Sequence, residues 1–482
     1  MEISKNNFPN IFVIFGSTGD LTYRKLMPAI YNLYIQNLLP NNFHIVCIGR
    51  REFSQDEYKQ RVVNSIKEFS KNTFNEEKIN SFRNIFEYLK LDFVHDESYG
   101  KLRNVIDMLC ESFNYDENIM YYMAVSPEFF SVIVDKLDKN GLASRKNGIK
   151  RIIIEKPFGE NLKSAMELND KITEIFTEKE TYRIDHYLGK EMSQNIMAIR
   201  FANPILESIW NHRYIENIKI TSNESLGVLT RGQYYEKSGA LKDMFQNHML
   251  QLLTLIAMEP PTRLDTESIR DEKVKVLTAL SKVDEDFVIN NIIRGQYVED
   301  EKGELKAYVN EDKVSKDSQI ETFVAVKCFI NNYRWAGVPF YIQTGKRLKE
   351  KVTEIIIEFK NASVLYNVNG DIGPNLLVIR IHPDERIFLN LNVKKFGNET
   401  EIIPIQMDFC QSCVNEFVSE AYEKLMYDAI RGESTLFTRW DETEFSWKFV
   451  ENILDIWKKK NIPLYKYASL TDGPEELKNF FK

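Results

Sequence analysis

Five consecutive apolar residues run straight into a glycine turn, and that junction constrains the fold more than any other stretch of the chain. Ile11-Phe12-Val13-Ile14-Phe15 shows no polar alternation, as expected of a strand covered on both faces. Gly16 and Gly19 follow within Gly16-Ser17-Thr18-Gly19-Asp20-Leu21-Thr22. From Asp20 the apolar positions Leu26, Ile30, Leu33 and Tyr34 keep helical spacing. A second apolar run, Ile45-Val46-Cys47-Ile48, ends at Gly49-Arg50-Arg51. Strand, turn, helix and strand in this order predict a βαβ unit of a parallel sheet. In such a unit the glycines let the backbone approach a pyrophosphate, while the helix N-terminus offers unpaired N–H groups and a favourable dipole. The turn departs from the usual G-x-G-x-x-G, so by itself it also fits an ordinary tight turn. The end of the second strand is more telling. NAD sites carry an acid there for the ribose 2′-hydroxyl, whereas Arg50 and Arg51 suit a 2′-phosphate, unless they are simply solvated.

Alternation of strands and helices continues. Phe86–Leu91, Met120–Val125 and Arg151–Glu155 read as strands, with Leu102–Phe113, Glu128–Leu137 and Asn161–Phe176 as helices. This doubly wound, Rossmann-type α/β pattern ends near residue 185. Helices are then expected over Glu191–Phe201, Leu241–Met258, Phe417–Ile430 and Glu442–Lys459. Period-two alternation marks Glu216–Glu224, Thr322–Ile330, Thr353–Phe359, Leu376–Ile381 and Ile387–Val393 as strands of a mainly antiparallel sheet with one covered face. Two domains are expected, 1–185 and a larger 186–482 built as α+β with flanking helices. The charged run Glu299–Lys316 reads as a solvated hairpin or loop.

A net charge of −8 argues against a nucleic-acid partner, because counterion release needs a basic surface. Met1–Pro9 has no apolar signal core, and Met249–Met258 is too short to span a bilayer. A cytoplasmic protein without a membrane partner is therefore expected. Five scattered cysteines do not describe a disulfide framework, and Cys410-Gln-Ser-Cys413 supplies only two of the ligands a zinc site needs.

The chemistry concentrates in Arg183-Ile184-Asp185-His186-Tyr187-Leu188-Gly189-Lys190-Glu191, which gathers two acids, two cations, an imidazole and a phenol around one glycine. The mix suits a small polar anion, with Lys190 for a phosphate, His186 and Tyr187 for its oxygens and Asp185 to hold a base. A charged turn between helices is the bland alternative. Downstream lies Asp243-Met244-Phe245-Gln246-Asn247-His248. Taken with the Gly16 turn, these segments resemble the glucose-6-phosphate dehydrogenase family. The resemblance extends in order through Glu155-Lys156-Pro157-Phe158-Gly159, Arg231–Tyr235, Ile269–Lys275, Gly345-Lys346-Arg347-Leu348 and Glu420–Arg439.

That resemblance implies oxidation of D-glucose 6-phosphate to 6-phospho-D-glucono-1,5-lactone, with NADP as hydride acceptor and NAD as a weaker alternative. No metal is required, since the nicotinamide takes the electrons. His248 corresponds to the general base and Asp185 to the acid that orients it. His186, Tyr187 and Lys190 correspond to sugar-phosphate ligands, Glu224 and Asp243 to acids on sugar hydroxyls. Lys346 and Lys351 correspond to further substrate cations, and Lys156 to a lysine reaching both substrate and cofactor. On the cofactor side, Gly16, Gly19, Asp20, Leu21 and Lys25 match the pyrophosphate turn, and Arg50 and Arg51 the 2′-phosphate end. Pro157 resembles a proline often cis in the family. On an ideal α-helix five residues is about 500° of rotation, setting Asp243 and His248 roughly 140° apart. Two departures stand out: His382 in Ile381-His382-Pro383 where the family commonly has glutamine, and Thr22 where alanine is common. The family associates into dimers or tetramers through its sheet domain, so a homo-oligomer is expected. Competing readings are a glucose–fructose-oxidoreductase-type enzyme, which would lack the nonapeptide's phosphate cluster, and a silent sugar-phosphate sensor, which would have lost Asp185 or His248.

Overall fold

The computed structural model describes residues 8–70, 73–114, 116–361, 373–397, 401–410 and 420–481. Contacts divide the chain into two compact units. One comprises Met1–Gly189, Asp265–Glu267 and Ser419–Glu444; the other comprises Lys190–Leu264, Ser268–Val418 and Phe445–Lys482. Beside a division at 185/186, the first unit thus also takes in a segment from near the C-terminus.

The first unit holds six parallel strands: Ile11–Phe15 (β1), His44–Gly49 (β2), Phe86–Lys90 (β3), Ile119–Met123 (β4), Lys150–Ile154 (β5) and Thr181–Ile184 (β6). Their order is β3-β2-β1-β4-β5-β6, so the winding reverses between β1 and β4. The two-residue strand Phe437–Thr438 lies antiparallel on the β6 edge. Every residue of β1 and β4 is buried. That explains their unbroken apolar runs, since helices cover both faces and each large side chain contributes about 1.5–3 kcal/mol of burial. The helix after the glycine turn opens as a π-turn, Thr22–Leu26, and continues as the α-helix Met27–Ile35.

The second unit is built on a nine-stranded sheet. Its strands are Ile215–Asn223 (β7), Ile292–Val298 (β8), Phe323–Phe329 (β9), Pro339–Gly345 (β10), Val352–Phe359 (β11), Leu376–His382 (β12), Arg386–Lys394 (β13), Ile402–Cys410 (β14) and the short Tyr465–Ala468. The order is β14-β13-β12-β11-β7-β10-β9-β8, then Tyr465–Ala468. The ladders are antiparallel except β7–β10 and β8 with Tyr465–Ala468. The mainly antiparallel sheet expected from period-two alternation is therefore present.

Two local expectations are corrected. The stretch beginning at Leu241 is not one α-helix: Leu241–Met249 is a π-helix and only Leu250–Ala257 is α. A π-helix pairs residues five apart, so the 140° separation of Asp243 and His248 does not apply and the two share a face. The run Glu299–Lys316 forms no ladder among the described residues, and it is not wholly solvated. Tyr308 and Glu311 are buried, because Glu311 meets Arg347 and the Tyr297 hydroxyl. Cys413 and the Cys410 side chain lie outside the described residues. No helix of the described residues is long and apolar enough to cross a membrane.

Candidate active site

Parallel strands put all their carboxyl ends on one edge, and in the first unit the expected residues follow those ends. Gly16 leaves β1 with φ +90°, and a Cβ there would stand 2.1 Å from the Ala124 carbonyl oxygen. Only glycine fits, and the backbone is left open to a ligand. The turn closes when the Gly19 N–H donates to the Gly16 carbonyl at 2.9 Å. Asp20 and Leu21 lead into the helix, with Asp20 3.6 Å from Arg24 and Lys25 paired to Glu420 at 2.9 Å. Thr22 is buried and donates its hydroxyl to the Gly16 carbonyl at 3.3 Å, so its extra polar atom is satisfied inside the turn.

A cavity of about 270 Å³ opens among this turn, Gly49-Arg50-Arg51 and Ala124–Ser126. The Arg50 guanidinium stands over the rings of Phe93 and Phe129, at 5.7 and 5.3 Å. The Arg51 carbonyl accepts the Tyr88 hydroxyl at 2.5 Å. The following acid, Glu52, pairs with Lys90. A glycine cradle and a helix start fit a dinucleotide's pyrophosphate, and two arginines line the same cavity.

Farther along the same edge, Lys156 follows β5 and joins Pro157 through a cis peptide. Beside it the half-buried Glu155 accepts hydroxyls from Tyr122 at 2.5 Å and Tyr422 at 3.2 Å, and desolvation raises its carboxyl above the usual range. After β6 the buried Asp185 closes an Asx turn, its Oδ1 accepting the Tyr187 N–H at 2.9 Å. The His186 and Tyr187 rings meet edge-on with centroids 5.0 Å apart. With Asp185 and Tyr187 buried, this charged run is not a solvated turn.

In the second unit register decides which residues share an edge. Glu224 follows the end of β7, Lys346 the end of the parallel β10, and Lys351 precedes the antiparallel β11. His382 ends β12 opposite Thr353, two residues beyond Lys351. All four therefore lie along one sheet edge. Lys346 pairs with Glu224, whose N–H donates to the Gly345 carbonyl at 2.9 Å. Lys190 caps the N-terminus of helix Glu191–Phe201, where the helix dipole adds to its charge. His382 is held below the ordinary imidazole range by partial burial and by Lys351 and Lys190, against which Asp384 acts weakly. The π-helix carries Asp243 and His248, both buried, and Asp243 Oδ1 accepts the Tyr234 hydroxyl at 2.9 Å.

Asp185 belongs to the first unit and His248 to the second. Sequence reasoning missed the aromatic pair under Arg50, the two tyrosines on Glu155, the Tyr234 contact and the Glu311–Arg347 pair. Tyr234, Tyr422 and Arg347 lay in segments singled out beforehand, but nothing in those segments showed these contacts.

Residues 13–195 match the profile "Glucose-6-phosphate dehydrogenase, NAD binding domain", and residues 197–482 match "Glucose-6-phosphate dehydrogenase, C-terminal domain". The chain is 47% identical over 474 residues to the glucose-6-phosphate 1-dehydrogenase of Bacillus subtilis (strain 168), covering 97% of this chain and 95% of that one. It is 41% identical over 466 residues to that of Aggregatibacter actinomycetemcomitans, covering 96% and 93%. A solved glucose-6-phosphate dehydrogenase in complex with its substrate glucose-6-phosphate superposes with a TM-score of 0.92 at 35% identity, covering 99% and 98%.

Proposed function

The chain belongs to the glucose-6-phosphate dehydrogenase family, and from that premise we propose that it oxidises C1 of D-glucose 6-phosphate to 6-phospho-D-glucono-1,5-lactone, with NADP preferred and NAD weaker. The observation that carries the reading is the full-length match, within which the nonapeptide and the Asp243–His248 helix both stand intact. A silent sensor has no reason to keep a buried histidine and a buried acid at those positions. The direct test is nicotinamide absorbance with NADP and either glucose 6-phosphate or glucose. No reduction with the sugar phosphate would sink the proposal.

Residues 1–185 hold the dinucleotide and residues 186–482 the sugar phosphate. His248 removes the C1 hydroxyl proton, since an imidazole pKa lies near working pH. Asp185 is the acid that steadies the resulting imidazolium, a role carried by the resemblance. The bound nicotinamide supplies the hydride acceptor. Gly16, Gly19, Asp20, Leu21 and Lys25 hold its pyrophosphate, with Lys156 reaching both ligands. Glu224 and Asp243 accept sugar hydroxyls, while His186, Tyr187, Lys190, Lys346 and Lys351 receive the rest of the sugar phosphate. Both substrates are charged phosphates that do not cross bilayers unaided, so the reaction belongs in the cytoplasm.

Lys190→Ala should weaken glucose 6-phosphate by about 10–100-fold, the loss of one charge-assisted contact, and hardly alter turnover of unphosphorylated glucose. Equal losses for both sugars would remove Lys190 from the phosphate.

His382 gives the pH dependence a sign. Its depressed proton affinity leaves the ring neutral at pH 7 in the free enzyme. A bound dianion offsets Lys190 and Lys351, so binding takes up a proton and affinity rises as pH falls toward the ring's pKa. His382→Gln should flatten this rise. The substrate's own phosphate ionisation is common to both proteins and drops out of the comparison. Identical pH profiles would place His382 away from the phosphate.

A homo-oligomer formed through the nine-stranded sheet completes the reading. Edge strand β14 exposes Ile405, Met407 and Phe409 at alternate positions, an apolar row on one face. Sedimentation at micromolar concentration should show at least a dimer, and a monomer alone would contradict this.

A further inference from the structure

Lys346 sits in a kink that its own neighbour holds. β7 and β10 run in register up to Asn223 and Gly345. Beyond them the Glu224 N–H donates to the Gly345 carbonyl at 2.9 Å, and the Glu224 carbonyl accepts the Leu348 N–H at 3.0 Å. Lys346 and Arg347 loop out between those two bonds. Arg347 makes the loop possible with φ +56°, a region that L side chains rarely occupy. Glycine or asparagine would fit there more cheaply, so a long cationic side chain needs a partner to hold it.

The partner is Glu311. The buried Arg347 guanidinium meets the buried Glu311 carboxylate at 3.3 Å and lies 5.8 Å from the centre of the Tyr297 ring. Tyr297 donates its hydroxyl to the same carboxylate oxygen at 3.0 Å and accepts the Val228 N–H at 3.2 Å. Gly227 leaves the room for this network. A Cβ there would stand 2.6 Å from Arg347 Nε, 2.8 Å from Glu311 Oε1 and 2.9 Å from the Tyr297 hydroxyl oxygen. The backbone is tied as well, with the Arg347 N–H on the Leu226 carbonyl at 3.2 Å and the Arg347 carbonyl accepting the Leu470 N–H at 2.7 Å. Across the kink the Lys346 ammonium pairs with Glu224 and stands 5.3 Å from the centre of the Tyr235 ring.

We infer that Arg347 and Glu311 are a positioning pair, which aims the Lys346 ammonium and the Glu224 carboxylate at the sugar phosphate. The inference rests on the proposed role of those two residues as substrate ligands. Without the Glu311 charge the guanidinium would be buried and uncompensated. It would then turn toward water or toward Glu224, competing with Lys346, and the left-handed kink would lose its anchor. Neither member of the pair touches the reacting carbon, so the effect falls on substrate affinity rather than on chemistry.

The test is steady-state kinetics on the full-length protein, with Lys346→Ala as the reference. Lys346→Ala and Glu311→Gln should each raise KM for glucose 6-phosphate by about tenfold or more, with Glu311→Gln keeping kcat within about threefold and KM for NADP unchanged. Gly227→Ala, which crowds all three network atoms, should raise the same KM. The double variant Glu311→Met/Arg347→Met refills the volume without charge and should regain thermal stability, as such swaps often do, yet keep the high KM. A purely structural pair would regain both. A normal KM in Glu311→Gln beside a raised KM in Lys346→Ala overturns the positioning role. A normal KM in Lys346→Ala overturns the ligand assignment itself. Should Glu311→Gln not fold, Tyr297→Phe, which removes one hydroxyl from the carboxylate, gives the same split at smaller amplitude, and an unchanged KM there counts against the pair.

Discussion

Replacing His248 by asparagine is expected to lower kcat by about 10²–10⁴-fold, while KM for sugar phosphate and cofactor stays within a few-fold. Asparagine keeps a hydrogen-bonding side chain at the position but has no basic group that titrates near neutral pH. The proton of the C1 hydroxyl then has to leave to water, at the same moment as the hydride. His248 is fully buried on the π-helix, ahead of the apolar Met249, Leu250, Leu252 and Leu253. Such a side chain cannot swing to solvent and back, so its loss is not readily covered by a neighbour. A shorter side chain in a buried position also costs stability, and a thermal melt must show the variant folded before its kcat is read. A variant with normal kcat and only a raised KM would make His248 a binding residue and leave the base unassigned.

The resemblance picked out Asp243 and His248 on this helix, but the sequence did not show the helix's geometry. A π-turn and an α-turn are built from the same residues, and the apolar spacing around Asp243 and His248 contains nothing that separates 3.6 residues per turn from a wider winding. The angle between the two side chains was therefore misjudged, although both residues had been picked out. The first unit was easier, because β1 and β4 are covered on both faces along their whole length and β2 beyond His44, which makes them apolar runs. In the second unit the clear strands were those that alternate. β8 breaks its pattern with Gly295 and the buried Gln296, β10 begins with Pro339, and the edge strand β14 contains Pro404, so each lacked the signal. Glu311 shows a deeper limit. Among 71 acidic residues nothing local distinguishes the one that folds inward onto Arg347, since its partners Tyr297 and Arg347 lie 14 and 36 positions away.

Cofactor choice carries the other large effect. Replacing Arg50 and Arg51 together by alanine should raise KM for NADP by about 10²–10³-fold and change KM for NAD by only a few-fold, as expected from losing two charge-assisted grips on one phosphate. The two arginines are not equivalent. Arg50 is pre-placed by stacking over Phe93 and Phe129, which spares much of the entropy of ordering a long side chain. Both are exposed, and at Arg51 the Tyr88 hydroxyl holds the backbone rather than the side chain. Glu52, the one nearby acid in sequence that could accept the NAD ribose hydroxyl, is engaged by Lys90. Arg50→Ala alone should therefore cost NADP more than Arg51→Ala alone. Salt separates the two ways a guanidinium can act. Diffuse attraction fades as the Debye length shrinks to about 3 Å at 1 M, whereas bidentate hydrogen bonds in a cavity largely persist. A wild-type preference for NADP that survives high salt, and disappears in the double variant, fits a direct grip on the 2′-phosphate. Equal losses for NADP and NAD would move both arginines away from that phosphate, and the preference for NADP would lose its structural basis.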